Sequence, residues 1–172
     1  QRQMCIRDST CLYGATKGTL YAAGMAGDRF AVRNSGADAV IEGCGDNGCE
    51  YMTGGSVVIL GAVGNNFGAG MTGGMAFAYD KEGTLPLRIN LDDVFYQQQM
   101  TPYWEDVLYQ KIKHYFNETN SQHANEMLDN WERDKYLFWQ IIPKEMVNKF
   151  EQPVLVETCL LYTSDAADDT LC

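Results

Sequence analysis

The residues best suited to chemistry in this 172-residue chain are few. Cys44 and Cys49 lie five apart in GCGDNGCEYMTGG, and Cys11 is a third thiol upstream. A metal site needs about four ligands at characteristic spacings, and no histidine lies near this pair. Buried free thiols are the expectation. A nucleophilic thiol needs an activating base. His114 and His123 come much later, without an obvious serine or cysteine partner, so a surface role is expected for both. Gly43–Gly48, GCGDNG, matches the dinucleotide fingerprint G-x-G-x-x-G, which must open a helix to hold a pyrophosphate. The adjoining CEYMTGGSVVIL reads as strand, so a glycine corner is expected instead. Asp92 and Asp93 are adjacent and would diverge on a strand; they read as solvated linker. Asp28, Arg29 and Asn34 suit hydrogen bonding to turn backbone. Met52 and Met71 sit at equivalent places in a glycine-bounded repeat, which favours a stacked core row over redox chemistry. No residue is assigned a catalytic, cofactor-binding or metal-binding role.

The elements that carry these residues are set by glycine. All 17 glycines fall between Gly14 and Gly83, and all four prolines come after them. Within that stretch GTLYAAG, GADAVIEG, GSVVILG and GMAFAYD begin at Gly18, Gly36, Gly55 and Gly74, in steps of 18, 19 and 19 residues. Each is a short run of small, apolar or β-branched residues bounded by breakers, which reads as a strand. AVRNSG, EYMTGG and AGMTGG recur between them, giving about two short strands and two corners per repeat. Repeats of this length indicate a solenoid. A leucine-rich repeat would need Leu and Asn ladders, which are not seen, and glycine costs roughly 1 kcal/mol per helical position. The fold class expected is mainly β: a parallel β-helix of about 19-residue turns, followed by a short α-helical tail. Val40, Val57, Ile59 and Phe77 are expected to point into its core.

After the repeats, Leu87–Leu91 reads as a strand and the rest up to Met100 as polar linker. Thr101-Pro102 opens a helix with Thr as N-cap and Glu105 and Asp106 in the first turn. Trp104, Val107, Leu108, Ile112 and Tyr115 form its apolar stripe. Asn117–Asn120 ends it. Ser121 caps a second helix carrying Ala124, Met127, Leu128, Trp131 and Phe138, and Pro143 starts a last short helix through Phe150. These stripes must bury against the solenoid end or a further domain. The expected division is 10–92 β-helix and 93–157 linker and helical tail.

The two ends read as foreign. QMCIRDS and CLLYTS back-translate to DNA strings that are largely reverse complements and match the transposase mosaic end of sequencing adapters. Residues 1–9 and 158–172 are therefore expected to be adapter-derived and disordered, and the chain a piece of a longer protein. The formal net charge is −10; without Arg2, Arg7, Asp8, Asp165, Asp168 and Asp169 it is −8. That charge argues against nucleic acid and anionic membrane as partners. Cys5, Cys159 and Cys172 fall in the ends. The remaining Cys11, Cys44 and Cys49, odd in number and without framework spacing, suit a reducing compartment.

The string TCLYGATKGTLYAAGMAGDRFAVRNSGADAVIEGCGDNGCEYMTGG, continuing through SVVILGAVGNNFGAGMTGGMAFAYD and RINL, resembles the C-terminal glycine-rich (GXGXG) domain of the glutamate synthase large subunit. NEMLDNWERDKYLFWQIIPKEM resembles that enzyme's last helices more loosely. Cys44 and the YQQQM linker depart from the pattern. The resemblance implies a right-handed β-helix that is a scaffold between the glutaminase and FMN domains and carries no catalytic residue. It implies a parent oxidoreductase that makes two glutamates from glutamine, 2-oxoglutarate and reductant, using FMN and a 3Fe-4S cluster. The thiol, flavin and cluster sites of that enzyme lie upstream, so the chain alone is expected to be inactive. Implied partners are the upstream domains of the same polypeptide and a small electron-transfer subunit or ferredoxin. Implied locations are cytoplasm or plastid. NADPH, NADH and ferredoxin all stay open as electron donors. The β-helix subunit of formylmethanofuran dehydrogenase and a stand-alone solenoid binding module are the alternatives.

Overall fold

The computed structural model describes residues 9–155. Apart from Ser9, the stretches read as adapter lie outside the described residues. Four strands match the glycine repeat: β1 (Thr19–Met25), β2 (Ser35–Gly43), β3 (Thr53–Ile59) and β4 (Gly73–Tyr79). They stack in parallel in chain order, one per turn of a β-solenoid. Ala39 lies beside Val57 and Val57 beside Ala76, so successive strands are 18 and 19 residues apart. The pairing slips by one residue at the start of β3 and of β4. Gly55 and Gly74, both at φ +79°, sit at these slips, where a Cβ would come within 2.3 Å of Ala37 O and 2.7 Å of Met52 Cε respectively.

The second half of each turn is not a strand. It alternates between right-handed and left-handed backbone: Arg29, Ala31 and Arg33 have φ of 58°, 56° and 54°, and Asn47, Cys49 and Tyr51 repeat this at 59°, 56° and 54°. Left-handed backbone costs a non-glycine residue roughly 1–2 kcal/mol. Stacking offsets that cost through main-chain hydrogen bonds to both neighbouring turns. Arg29 N–H reaches Asp46 O at 2.8 Å, Ala31 N–H reaches Cys11 O at 2.8 Å, and Arg33 N–H reaches Glu50 O at 2.9 Å. The expected second strand per repeat is thus replaced by a return segment of different geometry.

The sheet is buried on both faces, which its unbroken SVVIL run allows. Ala39, Ile41, Val57, Ile59, Ala76 and Ala78 face the solenoid interior with Phe30, Cys49, Met52, Phe67 and Met71. Val40, Val58 and Phe77 face the other way, toward the helices. Val57 and Ile59 therefore lie where expected, but Val40 and Phe77 do not. The slip at Gly55 pairs Val40 with Val58 instead of Ile59, whereas Phe77 stacks on Val58 at the full repeat step, so alternation alone puts it opposite Val57 and Ile59.

The C-terminal part adds strands as well as helices. Leu87–Leu91 is a 3-10 turn (Leu85–Leu87) and a single bridge from Ile89 to Phe67 rather than a strand. The supposed linker forms β5 (Val94–Gln97). Helix α1 (Pro102–Thr119) begins at Thr101 with Pro at its first turn and ends on Asn120 in the left-handed region. Helix α2 (Gln122–Asp129) is capped by Ser121, whose hydroxyl accepts from Ala124 N–H. After the short α3 (Trp131–Asp134), β6 (Phe138–Pro143) runs antiparallel between β4 and β5. Phe138 is therefore a strand residue, and Pro143 ends that strand instead of opening a helix; the segment beyond is only a 3-10 turn, Lys144–Met146. The helices lie on the outer face of the solenoid sheet, with Leu108, Ile112, Tyr115, Ala124 and Met127 buried against it.

Candidate functional site

The thiols come first because they carry most of the available chemistry. Cys44 is 2% and Cys49 0% exposed, both inside the solenoid core and both free. Burial pushes the Cys44 thiol up to about 12 and raises that of Cys49 well above the ordinary range. A low-dielectric site disfavours the thiolate, so neither is a ready nucleophile or metal ligand at neutral pH. Among the described residues no group of three or more His, Cys, Asp and Glu side chains is placed to hold a metal ion.

Gly43–Gly48 is a corner. Residues 46–51 form turns that lead into β3, and no helix opens there. Two side-chain ladders run along this corner. Asp46 N–H donates to Asp28 Oδ1 at 3.0 Å, and Asn65 N–H donates to Asp46 Oδ1 at 2.6 Å. Beside it Asn90 Nδ2 reaches Asn66 Oδ1 at 3.0 Å, and Asn66 Nδ2 reaches Asn47 Oδ1 at 2.9 Å. An asparagine ladder is thus present, contrary to expectation. It is hidden in the sequence because its last rung, Asn90, lies outside the glycine repeat. Asn34, fully buried, accepts from Gly36 and Ala37 N–H and donates to Ala37 O. Met52 and Met71 are both buried in the inner core.

The remaining polar groups gather on the seam between sheet and helices. Glu42 accepts from the Tyr115 hydroxyl at 3.0 Å and from the Ser121 hydroxyl. The same Tyr115 hydroxyl lies 3.2 Å from Ala22 O, and its ring meets Tyr21 edge-on. Burial, then the charge of Glu42, holds the Tyr115 phenol above its usual range. Asp38 takes Ser56 Oγ at 2.6 Å and Lys111 Nζ at 3.2 Å. His123 lies on the exposed side of α2, with Nε2 2.6 Å from Leu60 O; His114 is exposed on α1. Asp93, expected to be solvated, accepts from Gly70 N–H at 2.8 Å and closes the last turn. An open groove of about 640 Å³ runs past Glu105, Asp106, Tyr109, Trp131 and Glu132. Lys135 already bridges Glu105 and Glu132 at 3.0 and 2.9 Å. These contacts fasten elements together, and the hydroxyl–carboxylate contacts of Tyr115 and Ser121 with Glu42 are part of that fastening.

A short parallel β-solenoid, closed at one end by antiparallel strands and clad on its sheet by helices, is the class this chain defines. The chain belongs to the GXGXG motif family, whose model matches residues 1–144. It is 57% identical over 146 residues to the glutamate synthase [NADPH] large chain of Azospirillum brasilense, covering 85% of this chain. It is 46% identical over 159 residues to the ferredoxin-dependent glutamate synthase of Cyanidium caldarium, covering 92%. A chloroplastic/mitochondrial ferredoxin-dependent glutamate synthase of Arabidopsis thaliana is 50% identical over 135 residues, or 78% of this chain. The chain spans about a tenth of the length of the first two relatives and 8% of the third.

Proposed function

We propose that this chain is the glycine-rich solenoid part of a glutamate synthase large chain and acts there as a scaffold. The observation that carries this is identity of 46–57% along most of the chain to glutamate synthases, combined with a fold whose polar groups are engaged in packing. The parent reaction would convert glutamine, 2-oxoglutarate and reductant into two glutamates. FMN and a 3Fe-4S cluster would be held by other parts of the polypeptide. Residues 10–92 would form the solenoid body and 93–157 its cladding, standing between glutaminase and FMN domains. Relatives named for NADPH and for ferredoxin align over this same stretch, which supports a donor site elsewhere, on an electron-transfer subunit or ferredoxin contact. Among the described residues no helix is long and apolar enough to cross a membrane; the proposed setting is cytoplasm or plastid.

The test is biochemical. The purified 172-residue chain is incubated with glutamine, 2-oxoglutarate and either NADPH or reduced ferredoxin, and its visible spectrum is recorded. No glutamate and no flavin band are expected. A co-purifying flavin, or glutamine hydrolysis, would overturn the scaffold reading.

A further inference from the structure

The corner at Gly43–Gly48 holds a pair of residues with chemistry that a scaffold does not use. Asn47 is the only asparagine of the chain followed by glycine. In such a pair no Cβ shields the glycine nitrogen, which is then open to attack the asparagine side chain. Both residues are dictated by the solenoid. Position 47 takes left-handed backbone, at φ 59°, a region in which asparagine is enriched. Position 48 is buried, and a Cβ there would come within 2.9 Å of Cys44 Sγ and of the Phe67 ring. The fold therefore places a labile dipeptide where neither member is freely exchanged.

Among the described residues, Gly48 N–H and Asn47 Nδ2 donate no hydrogen bond. The nitrogen that attacks and the amide that leaves are thus both untied. Two features keep them from reacting. A left-handed residue has ψ of about +30 to +60°, so the Gly48 nitrogen lies nearly opposite Asn47 Cβ across the Cα–C bond. Ring closure needs the two on the same side. Rotation about that bond breaks the main-chain bonds from Cys49 N–H to Phe30 O at 2.8 Å and from Gly68 N–H to Gly48 O at 2.9 Å. The side chain is held as well. Asn47 Oδ1 accepts from Asn66 Nδ2 at 2.9 Å, and Asn66 Oδ1 accepts from Asn90 Nδ2 at 3.0 Å.

We propose that Asn47–Gly48 is a site of slow covalent self-modification, held in check by the stacked corner and its asparagine ladder. In the first step the Gly48 nitrogen bonds to Asn47 Cγ and the Cγ–Nδ2 bond breaks. Ammonia leaves, carrying the Gly48 amide proton. Water then opens the ring at one of its two carbonyls, which gives either an aspartyl or an isoaspartyl link. No oxidant or reductant is involved. Either product adds a carboxylate beside Asp46, whose own carboxylate already takes Asn65 N–H. The isoaspartyl link also adds a methylene to the main chain, in a turn that must match its neighbours bond for bond. The rate is set by local opening of the corner.

The experiment ages the full 172-residue chain in mildly alkaline buffer, folded or unfolded by guanidinium chloride, and maps aspartate and isoaspartate by mass spectrometry after digestion. In the unfolded chain position 47 should convert before every other asparagine. In the folded chain its conversion should be slower by about tenfold or more, as for any reaction that waits on local opening. Asn66→Ala removes the donor to Asn47 and should speed the folded reaction several-fold. The labelling rate of the buried Cys49 thiol, which reports opening of the whole core, should stay unchanged. If Asn66→Ala loosens the whole core, Asn66→Asp, which keeps the shape and removes the donor, decides. Equal conversion at position 47 in folded and unfolded chains, earlier conversion elsewhere, or an unchanged rate in a ladder variant with an intact core would overturn the proposal.

Discussion

Cys44 and Cys49 show how a residue type that suggests chemistry is retired by its surroundings. Both thiols sit in the stacked interior, where the walls are Phe30, Phe67 and two methionines. Their ionisation costs more in the folded chain than in the unfolded one. The thiol of Cys44, raised to about 12, keeps its proton in the native state when the unfolded thiol has already lost it. The native state therefore binds more protons between about pH 9 and 12. Its stability from this group is fully present below the unfolded value and falls as pH rises through that window. The slope is up to about 1.4 kcal/mol per pH unit. Two outcomes are expected. A thiol-labelling reagent at pH 8 should leave Cys44 and Cys49 unmodified until denaturant is added. Denaturant midpoints should decline from pH 9 upward, and less so in Cys44→Ala. Prompt labelling of either thiol under native conditions would show that the core is open.

At the scale of elements, the seam between the sheet and α1–α2 is fixed by a small number of polar contacts. Glu42 at the end of β2 holds a hydroxyl from α1 and another from the cap of α2. Its carboxylate thereby sets both the tilt of α1 and the start of α2. Tyr115→Phe keeps the ring and removes only the donor. A hydrogen bond to a charged acceptor contributes about 1.5–3 kcal/mol, and a loss of that size is expected in a urea melt. In a Glu42→Ala background the same substitution should cost distinctly less. Equal costs in the two backgrounds would mean that the Ala22 carbonyl, not Glu42, is the partner that matters. How legible these elements are in the sequence varies with the range of the determining force. The strands and α1 are readable because glycine breakers, β-branched runs, Thr101-Pro102 and Ser121 act locally. The return segments are not, because left-handed Arg29, Ala31 and Arg33 are stabilised by turns 18 to 19 residues away. Phe138–Pro143 does not read as a strand because its apolar run is short and carries no period of its own. Its pairing with β4 is a long-range event. Val40 lands on the outer face because the register slips by one residue at Gly55, which repeat position alone does not reveal, whereas Phe77 does so because it stacks on Val58 and therefore alternates with Val57 and Ile59. The candidate site divides in the same way: thiol burial is readable from apolar neighbours, whereas the seam around Glu42 joins residues more than 70 positions apart.

For the whole molecule, the question is whether solenoid and cladding behave as one body or two. The division at residue 92 reads naturally in the sequence, because the glycines have stopped by there. The packing argues for unity. The outer face of the sheet, Val40, Val58, Leu60 and Phe77, has as its cover Leu108, Ile112, Tyr115 and Phe138. Burying each large apolar side chain is worth about 1.5–3 kcal/mol, so removing the cladding would strip the solenoid of a core it cannot replace. β6 also lies inside the sheet, between β4 and β5, so the C-terminal part supplies an internal strand. The three tryptophans, Trp104, Trp131 and Trp139, all lie beyond residue 92, and the fully buried Cys49 lies within the solenoid. Trp104 and Trp131 pack in the outer cluster and report on the cladding, while Trp139 packs against the inner core with Cys49. Tryptophan fluorescence and the labelling rate of Cys49 should change at the same denaturant midpoint, as a two-state transition requires. Ile112→Ala, a substitution in the cladding helix α1, should shift both midpoints together, at a cost of about 2–5 kcal/mol. If fluorescence falls well before Cys49 becomes reactive, the solenoid stands without its helices and the shared outer core contributes little to it.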